Sequence, residues 1–202
     1  MRRTILVLAT MALTLLVASG VALAVTKIGT NGPDTLRGTN GADTLVGKGG
    51  NDELYALGGR DQLLGGPGKD LVLGGTPTAV FSGNKNLLGG RGNDVVLGGN
   101  GPDNVVGGSG NDFMVDGTVE HDHSQDILSG GAGKDVIVAA NSPAFGDIVT
   151  CGSGFDRVLA DRKDVVAPDC ERVVIGLASF DEFFNSIPQS FFEGVPQFPP
   201  FH

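Results

Sequence analysis

The sequence is poor in basic and in aromatic residues. It holds 14 Lys and Arg against 23 Asp and Glu, for a net charge of −9, and no basic cluster occurs. This balance excludes nucleic acid as an expected partner. Tryptophan is absent and there is one tyrosine, so a row of exposed aromatic rings for stacking on sugars is missing. Glutamate is also scarce, since 18 of the 23 acids are Asp, and Asp favours turns where Glu favours helices.

Glycine, in contrast, is abundant. The chain has 34 Gly in 202 residues, more than twice the usual share of about 7%. The glycines do not recur every third residue, which excludes collagen. Apolar residues make up 40% of the chain, so the low hydrophobicity of disordered proteins is absent. The composition predicts many tight turns joined by short strands.

The N-terminus has the pattern of an export signal. Arg2 and Arg3 precede an uncharged stretch over residues 4–25, and Ala22-Leu23-Ala24 fits a cleavage site. We therefore expect residues 1–24 to be a signal peptide and the mature chain to be secreted. An uncleaved membrane anchor is the alternative, and the Arg pair leaves Sec and twin-arginine export both open.

The rest of the chain repeats every nine residues. Aspartates recur at this spacing at Asp34, Asp43, Asp52, Asp61 and Asp70, then at Asp94, Asp103 and Asp112, and in the pairs Asp126 with Asp135 and Asp147 with Asp156. Two positions after each Asp stands an apolar residue: Leu36, Leu45, Leu54, Leu63, Val72, Val96, Val105, Met114, Leu128, Ile137, Val149 and Val158. Chance would give twelve such matches about 2 times in 100,000 at this composition, so the period is real.

One unit consists of a glycine-rich turn and a three-residue strand with its middle side chain pointing inward. Two units form an 18-residue coil, so residues 25–175 are predicted to be an all-β, two-sheet right-handed solenoid. Five extra residues follow Asp112, and three follow Asp135. Between Asp70 and Asp94, GGTPTAVFS is interpreted as a unit that has lost its Asp.

Stacking places each Asp above the one two units later, for example Asp34 near Asp52. Neighbouring strands are about 4.8 Å apart, where two carboxylates repel by about 3.5 kcal/mol at an effective dielectric constant of about 20. A hard cation between coils removes this repulsion. Ca²⁺ fits because it takes six to eight oxygen ligands, whereas Mg²⁺ demands tighter octahedral geometry.

The segments GGRGNDVVL and GGSGNDFMV match the nonapeptide GGxGxDxUx, and the region 29–159 resembles the RTX, or haemolysin-type calcium-binding, repeat family. The resemblance implies a parallel β-roll that binds roughly six to eight Ca²⁺ ions. It implies aspartate ligands at Asp34, Asp43, Asp52, Asp61, Asp70, Asp94, Asp103, Asp112, Asp135 and Asp156. It also implies carbonyl ligands from Gly32, Gly41, Gly50, Gly59, Gly68, Gly92, Gly101, Gly110 and Gly133. Glycines do not precede Asp126 or Asp147 in this pattern, so neither is assigned a metal.

Two features mark the C-terminal end. Cys151 and Cys170 are the only cysteines of an exported chain, so a disulfide is expected. Seven of the eleven phenylalanines lie in the segment 176–202. We interpret this segment as a cap over an edge or outer face of the solenoid, with a docking tail for a membrane or partner as the alternative.

Catalysis is not expected. The sequence has neither the HExxH helix nor a G-x-S-x-G nucleophile elbow. His121-Asp122-His123 is interpreted as part of a solvated loop rather than as a transition-metal site. The predicted function is that of a secreted, calcium-binding structural or interaction module that folds when calcium binds. A calcium-dependent polysaccharide- or surface-binding module is the alternative.

Overall fold

A computed structural model describes residues 23–75, 83, 85–117, 124–140 and 145–176. Most of the expected signal peptide, the loop with His121 and His123, and the Phe-rich segment from residue 177 lie outside these residues. Within them, no helix has the length and apolar character needed to cross a membrane.

The described residues form sixteen short β-strands separated by turns. The strands are β1 Thr26–Ile28, β2 Thr35–Arg37, β3 Thr44–Val46, β4 Glu53–Tyr55, β5 Gln62–Pro67, β6 Leu71–Leu73, β7 Asn86–Arg91, β8 Val95–Leu97, β9 Asn104–Ser109, β10 Phe113–Val115, β11 Ile127–Gly133, β12 Val136–Val138, β13 Ile148–Gly154, β14 Arg157–Ala160, β15 Val165–Val166 and β16 Arg172–Ile175. Half of them are three residues long, as the nine-residue unit predicts.

The strands alternate between two sheets. The odd-numbered strands form one eight-stranded sheet in the order β1-β3-β5-β7-β9-β11-β13-β15, and the even-numbered strands form the other. Neighbours within each sheet are parallel, and regular coils pair residues 18 positions apart, such as Leu45 with Leu63. The predicted β-roll is therefore confirmed.

The core lies between the two sheets. All twelve apolar residues of the repeat belong to it, eleven of them buried and Leu36 partly buried at the N-terminal end. Leu87 and Val166 extend the same column. Ala56, Ala139, Cys151 and Ala160 belong to the same cluster. The core is therefore narrow, and every coil depends on its neighbours for burial.

The unit between Asp70 and Asp94 lacks an Asp, as predicted, but it does not end with GGTPTAVFS. Lys85 donates its backbone N–H to Asp103 and Leu87 pairs with Leu63, so Lys85 and Leu87 occupy the Asp and apolar positions of that unit. In the sequence, the six extra residues of this unit stand between Gly75 and Gly83. A lysine at the Asp position hid the repeat from a search aligned on aspartate.

The two edges of the roll differ. We call the turns from odd to even strands the regular edge, and the turns from even to odd strands the variable edge. The insertions of six, five and three residues all fall on the variable edge, in the turns β6–β7, β10–β11 and β12–β13. Cys151 and Cys170 form the predicted disulfide, with their Cα atoms 5.2 Å apart, and join the last coils.

Candidate metal centre

Backbone hydrogen bonds to carboxylates connect each coil to the next. On the regular edge the N–H of one aspartate donates to Oδ1 of the aspartate one coil later. The donor–acceptor distances are 2.9 Å for Asp34 to Asp52, 2.8 Å for Asp52 to Asp70, 2.8 Å for Asp70 to Asp94, 2.8 Å for Asp94 to Asp112, 2.9 Å for Asp112 to Asp135 and 2.8 Å for Asp135 to Asp156. The Asp after each turn is therefore the acceptor that sets the stacking of the coils.

The second carboxylate oxygen, Oδ2, has a different environment. In the part of the chain that the structure describes, it is buried and accepts no hydrogen bond in Asp52, Asp61, Asp70, Asp94, Asp112, Asp135 and Asp156. A buried anionic oxygen without a partner costs several kcal/mol unless a cation or proton compensates it. A column of such oxygens requires compensation at every coil.

Glycine at the first position of each regular turn leaves room beside this oxygen. A β-carbon on Gly107 would lie within 2.8 Å of both Oδ2 of Asp112 and the carbonyl oxygen of Gly130. The same pair of oxygens, carboxylate and next-coil carbonyl, flanks Gly29, Gly47, Gly65, Gly89 and Gly130 at similar distances. Oxygen atoms that converge without a hydrogen-bond donor form the donor set that Ca²⁺ prefers.

The glycines assigned as carbonyl ligands lie two residues before each Asp, and their carbonyls point along the stack. Gly110 has φ of 134°, and a β-carbon there would overlap the carbonyl oxygen of Gly92. The carbonyls of Gly32, Gly41, Gly50, Gly59, Gly68 and Gly110 face the glycines of their next coils in the same way. These carbonyls therefore lie between coils, and Gly101 and Gly133 hold equivalent turn positions with positive φ.

The aspartates that are hydrogen-bonded from coil to coil form a ladder, and burial makes the ionised form of their carboxylates unfavourable. Burial raises the pKa of Asp112 to about 8, and the nearby charges of Asp94 and Asp135 add to it although the Asp94 N–H opposes the shift. Burial likewise raises the pKa of Asp94 to about 7 and that of Asp70 and Asp135 to about 6. It also raises the pKa of Asp52 and Asp156. Ionisation of this column therefore calls for a counter-cation.

The first coils compensate their carboxylates with protein groups. Thr30 donates its backbone N–H and its hydroxyl to Oδ2 of Asp34, at 2.6 and 2.9 Å. Thr39 makes the equivalent contacts with Asp43. Both aspartates were predicted metal ligands, and both lie in the ladder. Their Oδ2 atoms, however, already accept hydrogen bonds from threonine, whereas the Oδ2 atoms of Asp52 and the later regular-edge aspartates accept none from the described residues.

The variable edge carries a second ladder with a different composition. Its backbone N–H to carboxylate bonds run from Asp43 to Asp61, from Lys85 to Asp103, from Asp103 to Asp126, from Asp126 to Asp147 and from Asp147 to Asp164. Sequence reasoning placed Asp126 and Asp147 outside the metal set and did not consider Asp164. Val166 stands two positions after Asp164, where every repeat Asp is followed by an apolar residue. This spacing was the signal that could have identified Asp164.

Asp116, Asp126 and Asp147 form a buried cluster at the five-residue insertion. Their ligand atoms lie within 4.8 Å of one another. Asp116 occupies the turn position where regular turns have glycine, so a third carboxylate is added to the ladder there. The structure thus brings together acidic groups that the interrupted spacing had separated in the sequence.

The regular ladder ends on a different acid. Oε2 of Glu171 accepts the N–H of Asp156 at 2.9 Å, in the place where another Asp would stand. Cys170 precedes it directly, so the disulfide fixes the backbone that supplies this last acceptor.

Comparison with known proteins agrees with this geometry. The model of the RTX calcium-binding nonapeptide repeat matches four times, over residues 28–63, 46–76, 81–114 and 124–141, together half of the chain. The chain belongs to this family. No curated protein and no solved structure matches it. Calcium binding by the repeats is therefore the property on which a function can be built, and the ladder supplies the carboxylates for it.

Proposed function

We propose that this RTX repeat protein is a secreted structural or interaction module whose β-roll forms when calcium binds. The observation that carries the proposal is the column of buried Oδ2 atoms without hydrogen bonds, Asp52, Asp70, Asp94, Asp112, Asp135 and Asp156 on the regular edge. Ions between the coils would offset the charges that the fold brings together, at a stoichiometry of roughly six to eight.

The energetic scale supports coupling between calcium and folding. A site with Kd of about 10⁻⁴ M, in about 1 mM calcium, stabilises the folded state by about 1.4 kcal/mol. Several such sites together supply on the order of 10 kcal/mol, which is comparable with the stability of a whole domain. Without calcium, the repelling carboxylates favour the unfolded chain.

A location outside the cell fits both requirements of the fold. Calcium at the concentration that such sites need is found outside the cytosol, and an oxidising compartment preserves a structural disulfide such as Cys151–Cys170. Secretion would therefore deliver the chain to the only conditions in which both stabilising features form. RTX repeats are typical of secreted proteins.

The proposal does not include catalysis. A carboxylate that neutralises a calcium ion is not free to act as a general acid or base, and the ladder aspartates are also fixed by backbone hydrogen bonds, as Asp112 is by Asp94. The exposed surfaces of the roll are left for interaction.

Circular dichroism of the full chain, titrated with CaCl₂ from a calcium-depleted state, tests the proposal. We expect strand content to rise cooperatively with calcium, and isothermal titration calorimetry to count several ions per chain. A matched titration with MgCl₂ should have little effect, because Mg²⁺ is less suited to these sites. Full strand content in excess EGTA, or binding of one ion or none, would overturn the proposal.

A further inference from the structure

Lys85 stands in the file of aspartates on the variable edge. Its backbone N–H donates to Oδ1 of Asp103 at 2.9 Å, the same bond that Asp94 makes with Asp112. Its side chain is almost completely buried, with 1% of its surface exposed. A buried ammonium group is costly unless anions and hydrogen-bond acceptors surround it.

The path of the lysine side chain follows that of a ladder carboxylate. A β-carbon on Gly74 would lie 2.8 Å from Cδ of Lys85, just as one on Gly107 would meet Oδ2 of Asp112. Nζ of Lys85 donates to the carbonyl oxygen of Gly83 at 3.0 Å. Gly83 is the glycine two residues before the Asp position, the class of carbonyl that the family resemblance assigns to calcium.

The charge of Lys85 also acts on the ladder. Burial raises the pKa of Asp61 to about 6, and the positive charge of Lys85 opposes that rise. The carboxylates of Asp61 and Asp103 belong to the coils before and after Lys85, as the pairing of Gln62 with Asn86 and of Asn86 with Asn104 shows. One fixed positive charge therefore lies between two negative rungs.

The variable edge also differs at the first turn position. On the regular edge this position is glycine in the first six turns, Gly29, Gly47, Gly65, Gly89, Gly107 and Gly130, and Cys151 in the seventh. On the variable edge it is Gly38, Ala56, Gly74, Gly98, Asp116, Ala139 and Ala160. A methyl group at Ala56, Ala139 or Ala160 fills the space that a cation on the regular edge would adjoin.

We propose that the ammonium group of Lys85 replaces a calcium ion on the variable edge. The ion row there is interrupted between Asp61 and Asp103, and calcium binds in one continuous row along the regular edge. This inference rests on the proposed calcium binding and states along which edge of the roll the ions bind.

Substitution of Lys85 in the full chain tests the inference. Calcium bound at saturation is counted by native mass spectrometry for the wild type, Lys85→Asp and Lys85→Met. We expect Lys85→Asp to bind at least one ion more than the wild type, because it restores a rung, and Lys85→Met to bind the same number. An unchanged count in Lys85→Asp, with a wild type that binds several ions, would overturn this inference alone. A wild type that binds none would overturn the proposed function instead.

Lys85→Met provides the second measurement if Lys85→Asp does not fold. Removal of the ammonium leaves Asp61 and Asp103 without their internal counter-charge, so folding should need several-fold more calcium. The midpoint of the calcium titration, followed by circular dichroism, measures this. A midpoint equal to that of the wild type would contradict the role of Lys85 as a built-in cation.

A second observation concerns the outer face of the even-strand sheet. Eight apolar residues form a cluster there: Leu71, Val95, Phe113, Val115, Val136, Val138, Ala140 and Leu159. They alternate with core residues, so they point away from the core between the sheets. None is more than 7% exposed. The corresponding outward residues of the odd-strand sheet are open to solvent, with Leu64 and Leu88 at 38% and Ile127 at 48%.

We infer that the segment 177–202 covers this face. The segment follows β16, which is the edge strand of the same sheet and ends at Ile175. It contains seven phenylalanines in 26 residues. From β16 to β6 the face spans five strand spacings, about 24 Å, and 26 residues reach that far even at the helical rise of about 1.5 Å per residue.

Replacement of the seven phenylalanines of this segment by serine, in the full chain with calcium, tests the cover. We expect the fluorescence of the dye ANS to rise several-fold while strand content is retained, because the apolar face becomes accessible. Phe155→Ser is the control, since Phe155 is already 51% exposed, and should leave the signal unchanged. No rise in the seven-fold variant, or a full chain whose face is instead covered by dimerisation in light scattering, would overturn the inference.

Discussion

The amide of Asp94 donates a 2.8 Å hydrogen bond to Oδ1 of Asp112, while Oδ2 of Asp112 is buried and accepts no hydrogen bond from the described residues. One carboxylate thus has two tasks. Its first oxygen aligns adjacent coils through the backbone, and its second is left for a cation. The predictions below separate these two tasks.

Asp112→Asn keeps an oxygen that can accept the Asp94 N–H but removes the negative charge. We expect the calcium needed for folding to rise about tenfold, equivalent to about 1.4 kcal/mol. Calcium titration followed by circular dichroism measures the midpoint. Asp34→Asn is the matched control, because Thr30 already holds Oδ2 of Asp34; it should shift the midpoint less. Equal shifts in the two variants would contradict the distinction.

Acidification should stabilise the calcium-free fold. The folded pKa of Asp112 is raised to about 8 and that of Asp94 to about 7, whereas an unfolded Asp titrates near 3.9. Between these values the folded state binds more protons than the unfolded state, so stability is lost as pH rises from about 4 to about 8. Strand content measured by circular dichroism in calcium-depleted buffer should therefore fall as the pH rises from 5 to 8. A flat or rising profile would refute this.

Gly107→Ala should obstruct the cation position without changing charge. Its β-carbon would lie within 2.8 Å of Oδ2 of Asp112 and the Gly130 carbonyl, and such overpacking costs about 1–3 kcal/mol. We expect weaker calcium binding in calorimetry and a lower melting temperature. Ala139→Gly, at the equivalent position of the variable edge, is the control and should not weaken binding. Wild-type calcium affinity in Gly107→Ala would argue against a cation between Oδ2 of Asp112 and the carbonyl oxygen of Gly130.

Loss of the disulfide should loosen the last coils. The bond joins residues 19 positions apart, and a loop of this size stabilises by about 3 kcal/mol in the chain-entropy estimate. The Cys151→Ala, Cys170→Ala double variant should show a lower urea midpoint at saturating calcium. Hydrogen exchange should locate the change in β14 and β16, where Glu171 accepts the Asp156 N–H. Unchanged protection in these strands would contradict the assignment.

The nine-residue period was sufficient to predict the roll, its core and the stacking of aspartates, because apolar and acidic positions both repeat and both depend on local spacing. The period could not reveal that the two edges differ. Successive turns lie on opposite edges of the roll. Only the folded chain therefore separates a row of glycines on the regular edge, such as Gly89 and Gly107, from the alanines of the variable edge, such as Ala56 and Ala139.

Insertions account for the residues that were missed. Five and three extra residues precede Asp126 and Asp147, so the glycines of the motif are missing there and neither was assigned a metal, yet both carboxylates accept the N–H bonds of the ladder. Lys85 was missed for a chemical reason. A search for repeated acidic residues does not find a ladder position that is occupied by a lysine.

The ladder also gives the roll a polarity. Every aspartate bond of the regular ladder runs from an amide in one coil to a carboxylate in the following coil, and the last acceptor is Glu171. The asparagines beside the ladder run the other way, as Asn93 accepts the N–H of Asn111. Removing coils from the N-terminal side exposes carboxylate oxygens, which water solvates readily. Removing them from the C-terminal side exposes backbone amides instead, as the N–H of Asp156 would be without Glu171. The two ends of the roll therefore present different groups to solvent, acceptors at the N-terminal end and donors at the C-terminal end.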